Sequence, residues 1–191
     1  GEMLKQLIED RTDLSVEITK GVGGGTSNIH PAMVKGDFDM YPEYTGTSWS
    51  FVLKKKEIPE HDILYKELVR EYKQQYHLEW TGLYGFNNTY GIAVTKETAQ
   101  RYHLKTYADL ASVSSRMSFG AEYDYYERDD GYDAMVKAND FHFKKSIDLD
   151  IGLKYDALLK KEVDAILVFT TDGRISDPDI VEIGRASCRE R

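Results

Sequence analysis

The sequence predicts an α/β fold divided into two lobes, and three observations carry that expectation. Strand-like and helix-like apolar patterns alternate along the chain, the arrangement that layers helices against sheets. Residues 163–169 are a nearly continuous apolar run, as expected for a strand covered on both faces. A shift in composition and spacing falls near residue 90, where a second series of elements begins. The length of 191 residues suits one full domain or two small lobes at roughly 150 residues per domain.

Taken in order, Met3, Leu4, Leu7 and Ile8 recur at helix spacing. Residues 14–18 alternate as a strand, and glycines within 21–25 break it. Thr26 and Ser27 can cap a helix running through Met33 and Val34, with Pro31 tolerated in its first turns. Residues 38–41 read as a short strand. Leu64, Leu68, Tyr72 and Tyr76 lie four apart and mark an amphipathic helix over 61–76. Residues 78–80, 90–94 and 117–119 read as strands, 95–102 and 107–110 as short helices. Residues 131–138 read as a helix, 141–147 as extended and 151–161 as a helix. The sheets are expected to be mostly parallel. The first lobe is expected over 1–91, with 170–183 returning to it, and the second over 92–169. A ligand would then sit in the cleft between lobes, at the carboxyl ends of strands.

Both ends look cut. The chain opens directly in a helix with no strand before Gly1, so the first lobe is expected to lack its first strand. Residues 184–191 turn basic, lose apolar periodicity and hold the only cysteine, Cys188; they read as a non-native tail.

Composition narrows the function. With 25 Lys and Arg against 33 Asp and Glu, the formal net charge is −8, which argues against a nucleic-acid partner. No apolar run approaches the ~18 residues of a membrane span. One cysteine allows no intramolecular disulfide. The segment from Gly21 to Ser27 lacks the lysine of a phosphate-binding loop, so the nucleotide reading is rejected; a tight turn or a backbone anion site remain open. His30, His61, His77, His103 and His142 show no metal-ligand spacing, and there is no HExxH, C-x-x-C or GxSxG. No catalytic residue, metal or cofactor is expected. Asp124, Glu127, Asp129 and Asp130 do not fit a calcium loop. Arg128, inside that cluster, either pairs with its neighbours or receives a ligand carboxylate through its planar fork.

Fourteen tyrosines are more informative. Tyr44, Tyr90 and Phe169 all fall at element boundaries, where a two-lobed fold exposes side chains to the cleft. Such rings are either core filler or a cage for a cation, with quaternary ammonium the favoured guest.

The segments Gly24-Gly25-Thr26-Ser27-Asn28 and Val34 to Thr47, the latter containing Tyr41-Pro42-Glu43-Tyr44-Thr45-Gly46-Thr47, resemble the substrate-binding proteins of osmoprotectant ABC importers, which take up glycine betaine, choline and carnitine. Tyr84-Gly85-Phe86-Asn87-Asn88-Thr89-Tyr90, Glu127-Arg128-Asp129-Asp130-Gly131-Tyr132 and Phe169-Thr170-Thr171-Asp172 are similar to further blocks of that family, in the same order. The resemblance covers roughly residues 1–180. It implies a type II periplasmic-binding-protein fold that closes on its ligand, an extracytoplasmic location (periplasmic or tethered to the outer face of the cell membrane) and an ABC permease subunit or fused permease domain as partner. It also implies that Tyr44 and Tyr90 are cage tyrosines, that Thr47 contacts the ligand's polar end and that Arg128 meets its carboxylate. Phe169 stands where many relatives have a tyrosine, and the Pro-Pro-Tyr segment expected after Asp179 is absent. The alternative is a small-substrate enzyme on the same two-lobed fold, which would need a nucleophile or an acid/base pair in the cleft.

Overall fold

The computed structural model describes residues 1–20, 22 and 25–184. The chain divides into two compact units, Gly1–Gly82 and Leu83–Arg191.

The first unit holds α1 (Glu2–Arg11), α2 (Thr26–Lys35), the short α3 (Thr45–Thr47) running into a π-helical turn (Ser48–Val52), and α4 (His61–Tyr76). The four-residue spacing read from the sequence sets the core: Leu64, Leu68 and Tyr72 of α4 are buried with Trp49, and Leu78 and Trp80 pack against them. The Trp49 indole N–H donates to the Glu57 carbonyl at 2.6 Å, as a buried indole requires. α2 begins at Thr26 but is not capped by a hydroxyl; the Thr26 hydroxyl instead donates to Glu43 Oε2 at 2.8 Å.

No β-ladder forms among the described residues of this unit, which corrects the expected strands at 14–18, 38–41 and 78–80. Side chains take the place of a partner strand for residue 16: the Val16 N–H donates to Glu9 Oε1, and the Lys5 ammonium donates to the Val16 carbonyl. Tyr41 turns its hydroxyl to His30 Nδ1 at 3.2 Å. The glycine loop expected before α2 lies largely outside the described residues.

His30 is buried in this unit, with its ring edge-on to Tyr72 and Tyr76 at 5.5 and 4.6 Å. Its Nε2 finds no hydrogen-bond partner among the described residues. Burial disfavours the charged imidazolium and holds the His30 pKa below its ordinary value. The unfolded chain therefore binds a proton more readily than the folded one. Stability from His30 is present above the ordinary imidazole pKa and is lost as pH falls through the depressed folded value. Denaturant titrations at pH 7.5 and 5.5 are expected to show a loss of up to about 1.4 kcal/mol per pH unit, smaller in His30→Phe. An equal loss in the variant would assign the acid sensitivity to other groups.

In the second unit, β1 (Tyr90–Thr95) leads into α5 (Lys96–Tyr102), α6 (Tyr107–Val113) and a 3₁₀ turn (Ser114–Arg116). Then follow β2 (Ser118–Ala121), α7 (Tyr123–Glu127), α8 (Tyr132–Asn139), β3 (Lys145–Asp148), α9 (Lys154–Leu159) and β4 (Ala165–Phe169). A second 3₁₀ turn (Gly173–Ser176) and β5 (Ile180–Ile183) complete it. The strand order is β3-β2-β4-β1-β5. β2 runs parallel to β3 and β4, whereas β1 runs antiparallel to both β4 and β5, so the sheet is mixed rather than mostly parallel.

Alternation divides the core between the two faces. Ile92, Val94, Ala165, Leu167 and Phe119 join one buried cluster, and Ala93, Ile166 and Val168 join the other with Tyr155 and Leu158. Helices cover both faces, which explains the apolar run at 163–169. Thr106 and Asp109 form a reciprocal capping box on α6, and the backbone N–H groups of Thr106 and Lys105 hold the Asp109 carboxyl below its ordinary pKa.

Residues 180–183, expected to return to the first lobe, pair with β1 instead, with Ile92 opposite Ile183 and Thr95 opposite Ile180. Gly184, assigned to the tail, exchanges backbone hydrogen bonds with Tyr107 and Lys105 and belongs to the folded unit. Residues 185–191, with Cys188, lie outside the described residues.

Candidate ligand-binding site

Tyr90 opens β1 and Phe169 closes β4. Antiparallel pairing brings the start of one strand to the end of the other, so these residues are register partners, with ring centroids 5.5 Å apart at 42°. Tyr125 of α7, a residue the sequence did not single out, places its ring 4.9 Å from Tyr90 at 57°. Three rings thus meet at one end of the β1–β4 pair. Burial raises the Tyr90 phenol pKa, partly offset by the nearby Arg128 cation, so Tyr90 is neutral at physiological pH.

Arg128 follows α7 in extended conformation and is buried at 8% exposure. Its Nε and a terminal nitrogen each donate at 2.8 Å, one to each oxygen of Asp130. This fork geometry is the bidentate pairing that arginine favours. Arg128 is therefore neither a surface arginine nor an unpaired one. Gly131, the residue before α8, makes the tight return possible: its N–H donates to the Arg128 carbonyl at 3.0 Å. A Cβ there would lie 2.0 Å from the Tyr125 carbonyl oxygen and 3.0 Å from Arg128 Cβ.

Behind Phe169 stands a charged pair that sequence reading also missed. The Lys154 ammonium lies 4.4 Å over the Phe169 ring and 2.5 Å from Glu122 Oε1, with no exposure of Lys154 to solvent. No local signal could have found it, since a lysine on an amphipathic helix ordinarily faces water.

The first unit carries Tyr44 and Thr47 at the two ends of one helical turn. Tyr44 is 44% exposed, and its backbone N–H donates to Glu43 Oε1 at 2.7 Å. Glu43 also accepts from Thr26, which ties the start of α2 to the Tyr44 turn. Thr47 is half-buried. Among the described residues no group of three or more His, Cys, Asp or Glu side chains could hold a metal ion.

The mixed α/β sheet with helices on both faces is that of the type II periplasmic-binding-protein fold, the fold of the solved structure it superposes on. Residues 1–184 match the substrate binding domain of ABC-type glycine betaine transport systems, and the chain belongs to that family, which is extracytoplasmic and binds solutes for transport rather than catalysing a reaction. It is 42% identical over 180 residues to the ergothioneine transport permease/ergothioneine binding protein EgtU of Helicobacter pylori (strain G27), covering 94% of this chain and 32% of that protein. It is 38% identical over 175 residues to the carnitine transport binding protein OpuCC of Listeria monocytogenes serotype 1/2a (strain 10403S), covering 91% of this chain and 56% of that protein. The chain therefore spans about a third of the length of the first relative and about half of the second. The solved structure of a glycine betaine/carnitine/choline ABC transporter superposes with a TM-score of 0.63 at 33% identity, over 96% of this chain and 68% of that one.

Proposed function

We propose that this chain captures a quaternary ammonium solute of the glycine betaine, choline or carnitine kind and delivers it to an ABC permease subunit or fused permease domain. It would work in the periplasm or tethered to the outer face of the cell membrane. The observation that carries the reading is the meeting of Tyr90, Phe169 and Tyr125 at one strand end, in a chain of the glycine betaine substrate-binding family. Ring faces attract a cation that cannot hydrogen-bond and that gives up little on leaving water. Tyr90 and Phe169 supply cage rings in this reading, Tyr44 supplies a further ring, and Thr47 takes the ligand's polar end. Capture needs no covalent step: an aromatic wall, a polar anchor and exclusion of water suffice.

Ergothioneine joins the candidate ligands because the Helicobacter relative is named for it, and it carries both a trimethylammonium and a carboxylate. Titration calorimetry with glycine betaine, choline, carnitine and ergothioneine tests the reading. The control is 3,3-dimethylbutanoate, in which a tert-butyl group replaces trimethylammonium without the charge. Binding of at least one quaternary amine and none of the control is expected; equal binding of glycine betaine and its carbon analogue would sink the cation–π reading.

Arg128 supplies the second test. Its guanidinium, oriented by Asp130, is proposed to meet the ligand carboxylate as well. Arg128→Ala is expected to weaken glycine betaine by roughly tenfold, the scale of a hydrogen bond to a charged group, and choline much less. An unchanged glycine betaine to choline ratio would return Arg128 to a purely structural pair with Asp130.

A further inference from the structure

Lys154 stands at an unfavourable place for a cation. It is the first residue of α9, where the helix dipole presents its positive end. It has no solvent exposure, and lysine is almost never fully buried unless paired. Its ammonium is held by Glu122 Oε1 at 2.5 Å and by the Phe169 ring at 4.4 Å, with the Tyr155 ring at 5.7 Å. Glu122 immediately precedes α7, which carries Tyr125, and Phe169 faces Tyr90 across the ladder. The pair thus ties α7, α9 and β4 together at the three-ring group. Apolar residues of the same volume would usually hold these elements as well or better than a buried ion pair. Stability alone does not explain it.

Charge gives the remaining reason. The two charges lie within about 7 Å of the Phe169 ring, where an unbalanced unit charge is felt strongly by a bound ion. Glu122 Oε1 is paired with Lys154, and Glu122 Oε2 is buried with no hydrogen-bond partner among the described residues. We infer that Lys154 and Glu122 form a specificity-determining pair: Lys154 positions the Phe169 ring, and the balance of the pair sets whether the aromatic wall prefers a net cation or a zwitterion. This inference rests on the assignment of Tyr90 and Phe169 to a quaternary ammonium site.

Calorimetry of choline (net cation) and glycine betaine (zwitterion) tests it in the intact chain. Lys154→Met leaves the carboxylate unbalanced and is expected to raise the choline to glycine betaine affinity ratio by about tenfold. Glu122→Gln leaves the ammonium unbalanced and is expected to lower the ratio by a similar factor. The double variant is expected to restore the wild-type ratio and to weaken both ligands about threefold, as Phe169 loses its anchoring cation, with an unchanged or raised melting temperature. A purely structural pair would weaken both ligands in parallel in the single variants and leave the ratio unmoved; that result overturns the inference. If the single variants do not fold, the double variant decides, and undiminished affinity for both ligands overturns it. Binding that depends on Tyr90 with an unmoved ratio removes this inference alone, whereas no binding of any quaternary amine by the wild type removes the site assignment and this inference with it.

Discussion

Replacing Tyr90 with alanine is expected to weaken quaternary ammonium binding by about 0.5–2 kcal/mol, the range of a cation–π contact from exposed to desolvated. That corresponds to a loss of up to roughly thirtyfold in affinity. Tyr90→Phe is expected to keep most of the affinity, because the ring face is retained and the phenol, its pKa raised by burial, carries no charge at neutral pH. The ring also touches Tyr125 at 4.9 Å and Phe169 at 5.5 Å, so alanine loosens the neighbouring walls as well. Calorimetry on both variants checks the point. Equal losses for phenylalanine and alanine would mean that the hydroxyl, and not the π face, makes the contact.

Gly131→Ala is expected to be the more damaging substitution for the second unit. The added methyl would sit 2.0 Å from the Tyr125 carbonyl oxygen, a backbone atom that moves only if the α7–α8 turn moves. Overpacking of this kind costs about 1–3 kcal/mol, a drop of several degrees in melting temperature for a domain of this size. The strain falls on the residues between Tyr125 and Arg128, so ligand affinity is expected to fall with stability. Gly173→Ala is the control, since a Cβ there meets nothing within 4 Å. Indistinguishable melting temperatures for the two variants would show that the turn relaxes around the methyl group.

How far the sequence reaches depends on the kind of interaction. α4 was legible because a helix carries its own periodicity: Leu64, Leu68 and Tyr72 share a face whatever they pack against. β4 was legible for a related reason, since an apolar run announces burial on both sides. Residues 14–18 show a valid strand alternation, but a strand exists through its ladder, and no ladder forms in the described residues of the first unit. The same limit hid β5, which is a strand because β1 offers it an edge. The family motifs located Tyr44, Thr47, Tyr90, Arg128 and Phe169 along the chain without showing what each one touches.

The sequence by itself determined the α/β class, most elements of the second unit, the membership of a solute-binding family and the ring residues at strand ends. These follow from local periodicity and from motifs whose residues lie close together in the chain. Only the tertiary structure decided that β1 runs antiparallel to β4, which sets Tyr90 against Phe169 from 79 positions away. It alone decided that Asp130 holds the Arg128 fork, that Tyr125 joins the rings and that Lys154 is buried on Phe169 against Glu122, 32 residues earlier. Strand direction, ring contact and the burial of a charge depend on which distant segments meet, and that depends on the packing of the whole sheet and its helices. A pattern along the chain records what each residue prefers, whereas the folded unit fixes which partner satisfies it.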